Sequence, residues 1–235
     1  MSVMKIVVND FVDGARDARG IAVIIDVFRA FSLAAYAFDA GVQSVLPVDD
    51  LELARQYKRE DPRRLLFGER HAQPLDGFDG GNSPAQLLRW NLSGVDLIHT
   101  THSGTQGLVN AVHADEVLTG ALVNAAAIVK YIQQRAPQQV TLVRMGYAAR
   151  ERCMEDDLCA ELLSARLRGE EFPVAGLREH LRSAPAAAKF FDPACQHYAP
   201  QADFVMCTDV DRFDFVLRLD QTARPLQLQK VDCRI

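Results

Sequence analysis

Short apolar runs alternate along this chain with longer stretches of helical period. The runs, dense in valine, isoleucine and leucine, predict strands at Lys5–Val8, Ile21–Asp26, Ser44–Val48 and Leu65–Gly68. Three more fall at Val95–Thr100, Glu116–Thr119 and Gln139–Met145. Between them, apolar residues recur three and four positions apart, which predicts helices at Ala30–Ala40, Leu51–Glu60 and Pro84–Trp90. The same period predicts helices at Thr105–His113, Asn124–Arg135 and Glu151–Arg168, and Gly41 is placed to end the first helix in a left-handed cap. Several strands, IAVII among them, are apolar throughout, as in a sheet covered on both faces. The expectation is an α/β fold of three layers, α/β/α, with a mostly parallel sheet.

After Gly169 the pattern becomes less regular. Leu177–Arg182 and Ala186–Phe190 read as short helices, Phe215–Leu219 and Leu226–Val231 as late strands on an edge of the sheet. No repeat, low-complexity tract or Pro/Gly/Ser-rich linker divides the chain, so one domain over 1–235 is expected, with a less regular C-terminal subregion.

Composition narrows the function. With 26 basic and 31 acidic side chains the net charge is −5, against the basic face that nucleic acid or an anionic membrane would need. A small-molecule partner is expected, and a homo-oligomer stays open. No apolar run is long enough to span a bilayer, and the N-terminus lacks a secretory pattern. Five cysteines without a Cys-x-x-Cys pair read as reduced thiols, so the expected location is cytoplasmic.

In parallel sheets ligands bind beyond the carboxyl ends of the strands. There the chain carries Asp26 and Arg29, then Glu69, Arg70 and His71, then Thr100, Thr101, Ser103, Gly104 and Thr105, and finally Glu155, Asp156 and Asp157. Singly, each has an ordinary structural reading: a helix cap, a surface ion pair, a turn, a solvated helix face. His71 and His102 read as structural. The stretch GFDGGNSPAQL from Gly77 to Leu87 is either a capped loop, with Ser83 as N-cap and Pro84 in the first turn, or a site for an anion on free amides. Together these residues suggest a phosphate ester handled with a divalent metal, since hard carboxylates suit Mg²⁺ and arginines with backbone N–H groups suit phosphoryl oxygens. Asp-x-Asp after the first strand, Cys-x5-Arg and Walker signatures are all absent from the sequence.

The segments IDVFRAFS, GER followed by GFDGGNSPAQL, TTHSGTQGL, GALVNAAAIVKYI, MGYAARERCMEDDLCAELL and PQADFVMCTDVDRFDFV occur in an order that resembles the magnesium-dependent 2-phosphosulfolactate phosphatases of coenzyme M biosynthesis. Phe31, Ser103 and Gln106 depart from the family pattern beside the expected pocket. The resemblance implies hydrolysis of a small acidic phosphomonoester, 2-phosphosulfolactate or a similar 2-phospho acid, and favours the anion site in GFDGGNSPAQL. It implies Asp26, Glu155 and Asp156 as Mg²⁺ ligands, and Asp26, Arg29, Glu69 and Arg70 as catalytic groups. Ser32, Asn82, Ser83, Thr101, Ser103, Gly104 and Thr105 are then expected to bind phosphate or substrate. The alternative is a non-catalytic anion-binding or regulatory protein that retains the fold.

Overall fold

The structure, a computed structural model, describes residues 4–233. In chain order the first half runs β1 (Lys5–Asp10), α1 (Phe11–Arg16), β2 (Ile21–Ile25), α2 (Ala30–Asp39), β3 (Ser44–Pro47) and α3 (Leu51–Glu60). There follow β4 (Leu65–Arg70), β5 (Gln73–Pro74), α4 (Pro84–Leu87), β6 (Asp96–Thr100), α5 (Gly104–Asn110) and β7 (Glu116–Gly120). The second half holds α6 (Ala125–Arg135), β8 (Gln139–Arg144), α7 (Met154–Arg168), α8 (Leu177–Arg182) and α9 (Gln201–Cys207). It closes with β9 (Phe215–Asp220) and β10 (Gln227–Asp232).

The ten strands form one sheet in the order β1-β8-β2-β7-β9-β10-β3-β6-β4-β5. Two parallel groups, β1-β8-β2-β7 and β3-β6-β4, are joined through the antiparallel hairpin β9–β10. The late strands therefore lie in the middle of the sheet, not on an edge as the sequence suggested. β9 meets β7 at Leu118 and Arg218, and β10 meets β3 at Leu228 and Val45. The burial of Phe215, Val216, Leu217 and Leu219 suits that central place.

Alternate residues of β2 feed the two faces. Ala22 and Ile24 pack with α2 and Leu108 of α5, whereas Ile21, Val23 and Ile25 pack with α6 and α7. This is the expected three-layer α/β/α arrangement. The helix expected from Glu151 starts at Met154 instead. Glu151 is held in a tight loop, its N–H donating to the Tyr147 carbonyl at 3.1 Å and its carbonyl accepting from Tyr147 N–H at 2.8 Å. Gly146, at φ 59°, makes the turn, and a Cβ there would lie 2.1 Å from the Glu151 oxygen. Helices α1 and α9 have no counterpart among the elements expected from periodicity; both are short, and α1 follows β1 directly.

Candidate active site

Although the pairing sets the two parallel groups in opposite directions, the segments after their strands meet. The Gly104 N–H, beyond β6, donates to Asp26 Oδ2 at 2.9 Å, beyond β2. Ser103 Oγ donates to the Gly146 carbonyl at 2.8 Å, beyond β8. One cleft forms there. Among the expected site residues it is lined by Asp26, Arg29, Glu69, Asn82, Ser103, Glu155 and Asp156. His71, His102, Tyr147 and Lys189 line it as well.

Its carboxylates are fixed by backbone amides. Asp26 Oδ1 accepts from Ala30 N–H at 3.2 Å, so the side chain that faces the cleft also caps α2. Asp156 accepts from Val27 N–H at 2.9 Å and from Gly146 N–H at 2.8 Å. Glu69 accepts from Ala72 and His102 N–H, both at 2.7 Å, which ties the β4–β5 turn to the β6–α5 loop. Glu155 Oε2 is buried and has no hydrogen-bond partner among the described residues.

Burial pushes the Asp26 carboxyl up to about 6, with the charge of Glu69 adding to it. Burial likewise raises Glu155 to about 7, with help from Asp26 and Asp157. Asp156 is raised by burial and then by the charges of Asp26 and Glu155. Burial, and after it the charge of neighbouring acids, thus favours the protonated form of all three carboxyls.

Would Mg²⁺ fit? Among the described residues no three His, Cys, Asp or Glu side chains close on one point as a complete ligand set. Mg²⁺ keeps several waters and needs only one or two carboxylates, and the orphaned Glu155 Oε2 beside two crowded acids is the hard donor such an ion takes. The residues fit the ion.

The arginines fall differently. Arg29 is buried, and its Nη1 donates to Asp203 at 2.8 Å and to the Tyr198 carbonyl at 2.6 Å. Arg70 donates to the Glu69 carbonyl at 2.7 Å and to Thr100 Oγ1 at 3.0 Å, and does not line the cleft. The N-terminus of α4 already holds an anion from the protein itself. Asp203 Oδ1 accepts from Ser83 Oγ at 2.8 Å and from Ala85 N–H at 3.0 Å. Asn82 Oδ1 lies 3.1 Å from Nε2 of His99, whose own proton affinity burial lowers to about 4.

Four other expected binding residues are spent on structure. Ser32 Oγ donates to the Val27 carbonyl at 2.9 Å. Thr101 and Thr105 bond one another's backbone, Thr101 N–H to Thr105 Oγ1 at 2.9 Å and Thr105 N–H to Thr101 Oγ1 at 3.2 Å. Gly104 is there because a Cβ would meet Asp26 Oδ2 at 2.8 Å. Sequence reasoning missed Lys189 and Asp203, which follow no strand, and set aside His71 and His102, whose rings meet edge to face 4.5 Å apart at the cleft.

The profile of the 2-phosphosulpholactate phosphatase family matches residues 8–222. The chain belongs to that family. A Bacillus subtilis relative, named probable 2-phosphosulfolactate phosphatase, is 28% identical over 213 residues, 90% of this chain and 92% of its own. A Synechococcus relative of the same name is 32% identical over 219 residues, covering 86% and 88% of the two chains. Another from Thermosynechococcus vestitus is 35% identical over 152 residues; that match covers 64% of this chain and 62% of the relative, under two thirds of its length. Among the described residues no helix is long and apolar enough to cross a membrane.

Proposed function

We propose that this protein hydrolyses a small acidic phosphomonoester with the help of Mg²⁺, the substrate being 2-phosphosulfolactate or a similar 2-phospho acid. The observation that carries the proposal is the cleft in which Asp26, Glu155 and Asp156 crowd together, with Glu155 Oε2 unpartnered, beside the cations Arg29 and Lys189. Family membership supplies the reaction class; the crowding supplies a reason for a metal.

Glu155, Asp26 and Asp156 would hold the ion. When bound, Mg²⁺ contributes charge neutralisation and a more acidic water. In the hydrolysis the water oxygen bonds phosphorus as the ester P–O bond breaks, and the water's proton ends on the leaving alkoxide. Asp26, fixed by Ala30 and Gly104 amides, is placed to orient the attacking oxygen and accept its proton. Glu69 shapes the rim by holding Ala72 and His102, and Arg29 contributes a fixed positive charge at the wall.

A panel of phosphomonoesters, 2-phosphosulfolactate included, assayed with Mg²⁺ and with a chelator tests this. Hydrolysis of the 2-phospho acids that needs the metal is the expected result. Hydrolysis indifferent to the metal, or none across the panel, would overturn it.

A further inference from the structure

Besides His71 and His102, four acids and the two cations Arg29 and Lys189 line the cleft, and the two cations are not equivalent. Arg29 is matched by Asp203 at 2.8 Å, with both side chains buried. Lys189 stands on the 3-10 turn Pro185–Phe190, where nothing in the sequence pattern marks it as functional. Among the described residues no acid comes within ion-pair distance of it; its one close contact of this kind is the Phe190 ring, whose centroid is 5.2 Å from Nζ. A partly buried ammonium normally finds an acceptor, because an unpaired one costs free energy. Here the acids whose charge it feels, after that of Arg29, are Glu155, Glu69 and Asp26, which line the same cleft without forming an ion pair with it. The cleft lies between them.

We infer that Lys189 binds a tetrahedral oxyanion group of the substrate, phosphoryl or sulfonate, and that it supplies the anion-binding charge expected of Arg70. The inference rests on the phosphatase reading of this cleft. It follows from placement: Arg70 is turned to Glu69 and Thr100, Arg29 is tied to Asp203, and at the start of α4 the Ala85 amide is taken by Asp203 and the Gln86 amide by Ser83 Oγ. Burial and the charge of Arg29 both lower the proton affinity of Lys189, so a bound dianion also helps it keep its proton.

The test uses the full chain with Lys189→Met and Lys189→Arg, checked for folding by circular dichroism. Calorimetric titrations with inorganic phosphate and with methanesulfonate, each in Mg²⁺, read anion binding without any need for turnover. Lys189→Met should weaken at least one anion by about 10- to 100-fold, as loss of a charged hydrogen bond does, and Lys189→Arg should restore most of it. The anion that suffers identifies the group bound. Should Lys189→Met lose its fold, Lys189→Gln carries the same measurement. Affinities for both anions within about twofold of wild type would overturn the inference. Wild-type protein that binds phosphate but hydrolyses no ester sinks the phosphatase reading and leaves Lys189 as an anion ligand. Turnover with unchanged anion binding in the variant does the reverse.

Discussion

Asp26 and Arg29, three positions apart, belong to two buried charge groups built on opposite plans. Around Arg29 the charges are matched: the guanidinium donates to Asp203 and the Tyr198 carbonyl, and Asp203 also accepts from Ser83 Oγ and Ala85 N–H. Around Asp26 they are not: Glu155 and Asp156 repel it, and one Glu155 oxygen has no partner among the described residues. A matched group serves the fold, here by pinning α9 to α2 and α4. An unmatched group raises the energy of the folded protein, and under the proposed function a bound cation would lower it again. The difference separates the part that holds the site together from the part that performs chemistry, and it can be attacked from either side.

The largest effect on stability is expected from Asp203→Ala. It strands a buried Arg29 and two donors, so unfolding free energy should fall by about 3–5 kcal/mol. Urea denaturation measures it. A loss below about 1 kcal/mol would mean that the pair is not the clamp proposed here.

Asp26→Asn attacks the other group. Mg²⁺-dependent kcat should drop by about 100- to 1000-fold, the scale of one lost electrostatic contact in the transition state. Stability should move with pH. The Asp26 carboxyl is raised from 3.8 to about 6, so the folded protein binds the extra proton, and its stability declines as pH rises through that window. An uncharged Asn escapes the decline. In chelator, the melting temperature of Asp26→Asn relative to wild type should therefore rise between about pH 4 and pH 7.5, offset in part by one lost amide acceptor. The ceiling is about 3 kcal/mol, from a shift of about two pKa units at 1.36 kcal/mol each. Mg²⁺ should shrink the gap by favouring the ionised carboxylates of the wild type. A gap that stays flat with pH would remove the case for a strained cluster.

Gly104→Ala tests the contact between the two sheet halves. Its Cβ would lie 2.8 Å from Asp26 Oδ2 and 3.0 Å from Phe31, so the β6–α5 loop must back away. About 1–3 kcal/mol of destabilisation is expected, with activity falling alongside, as read by thermal melts and kcat/KM. Unchanged activity would show that Asp26 tolerates displacement.

What could be read beforehand follows a physical line. Asp26 and Glu69 were legible because an apolar run that ends abruptly in a carboxylate marks the end of a buried strand. Asp203 and Lys189 were not, because neither follows a strand and both lie beyond Gly169, where the pattern is less regular. In GFDGGNSP the capped loop is what the structure shows, with Ser83 Oγ accepting from Gln86 N–H at 3.2 Å and Pro84 in the first turn, while the carboxylate at that helix end is Asp203, 120 positions from Ser83, and local sequence cannot choose between a ligand and a distant side chain. The central place of β9 was misread as an edge, although FVL in Phe215–Leu217 does not alternate as an edge strand with a wet face does.

The smallest effect is expected at Asp157, and it fixes where the unmatched group ends. Adjacent helical residues point about 100° apart, so the three acids at the start of α7 cannot share one direction. Glu155 and Asp156 turn into the cleft, whereas Asp157 pairs with Arg144 at 3.1 Å and Arg152 at 3.0 Å on the partly exposed side. Such pairs contribute about 0–1 kcal/mol and are screened by salt. Asp157→Asn should keep kcat/KM within about twofold of wild type and lower the melting temperature slightly, less so at high salt. If it proves as inactive as Asp26→Asn, the cluster extends around the helix and the partition between matched and unmatched charge is drawn in the wrong place.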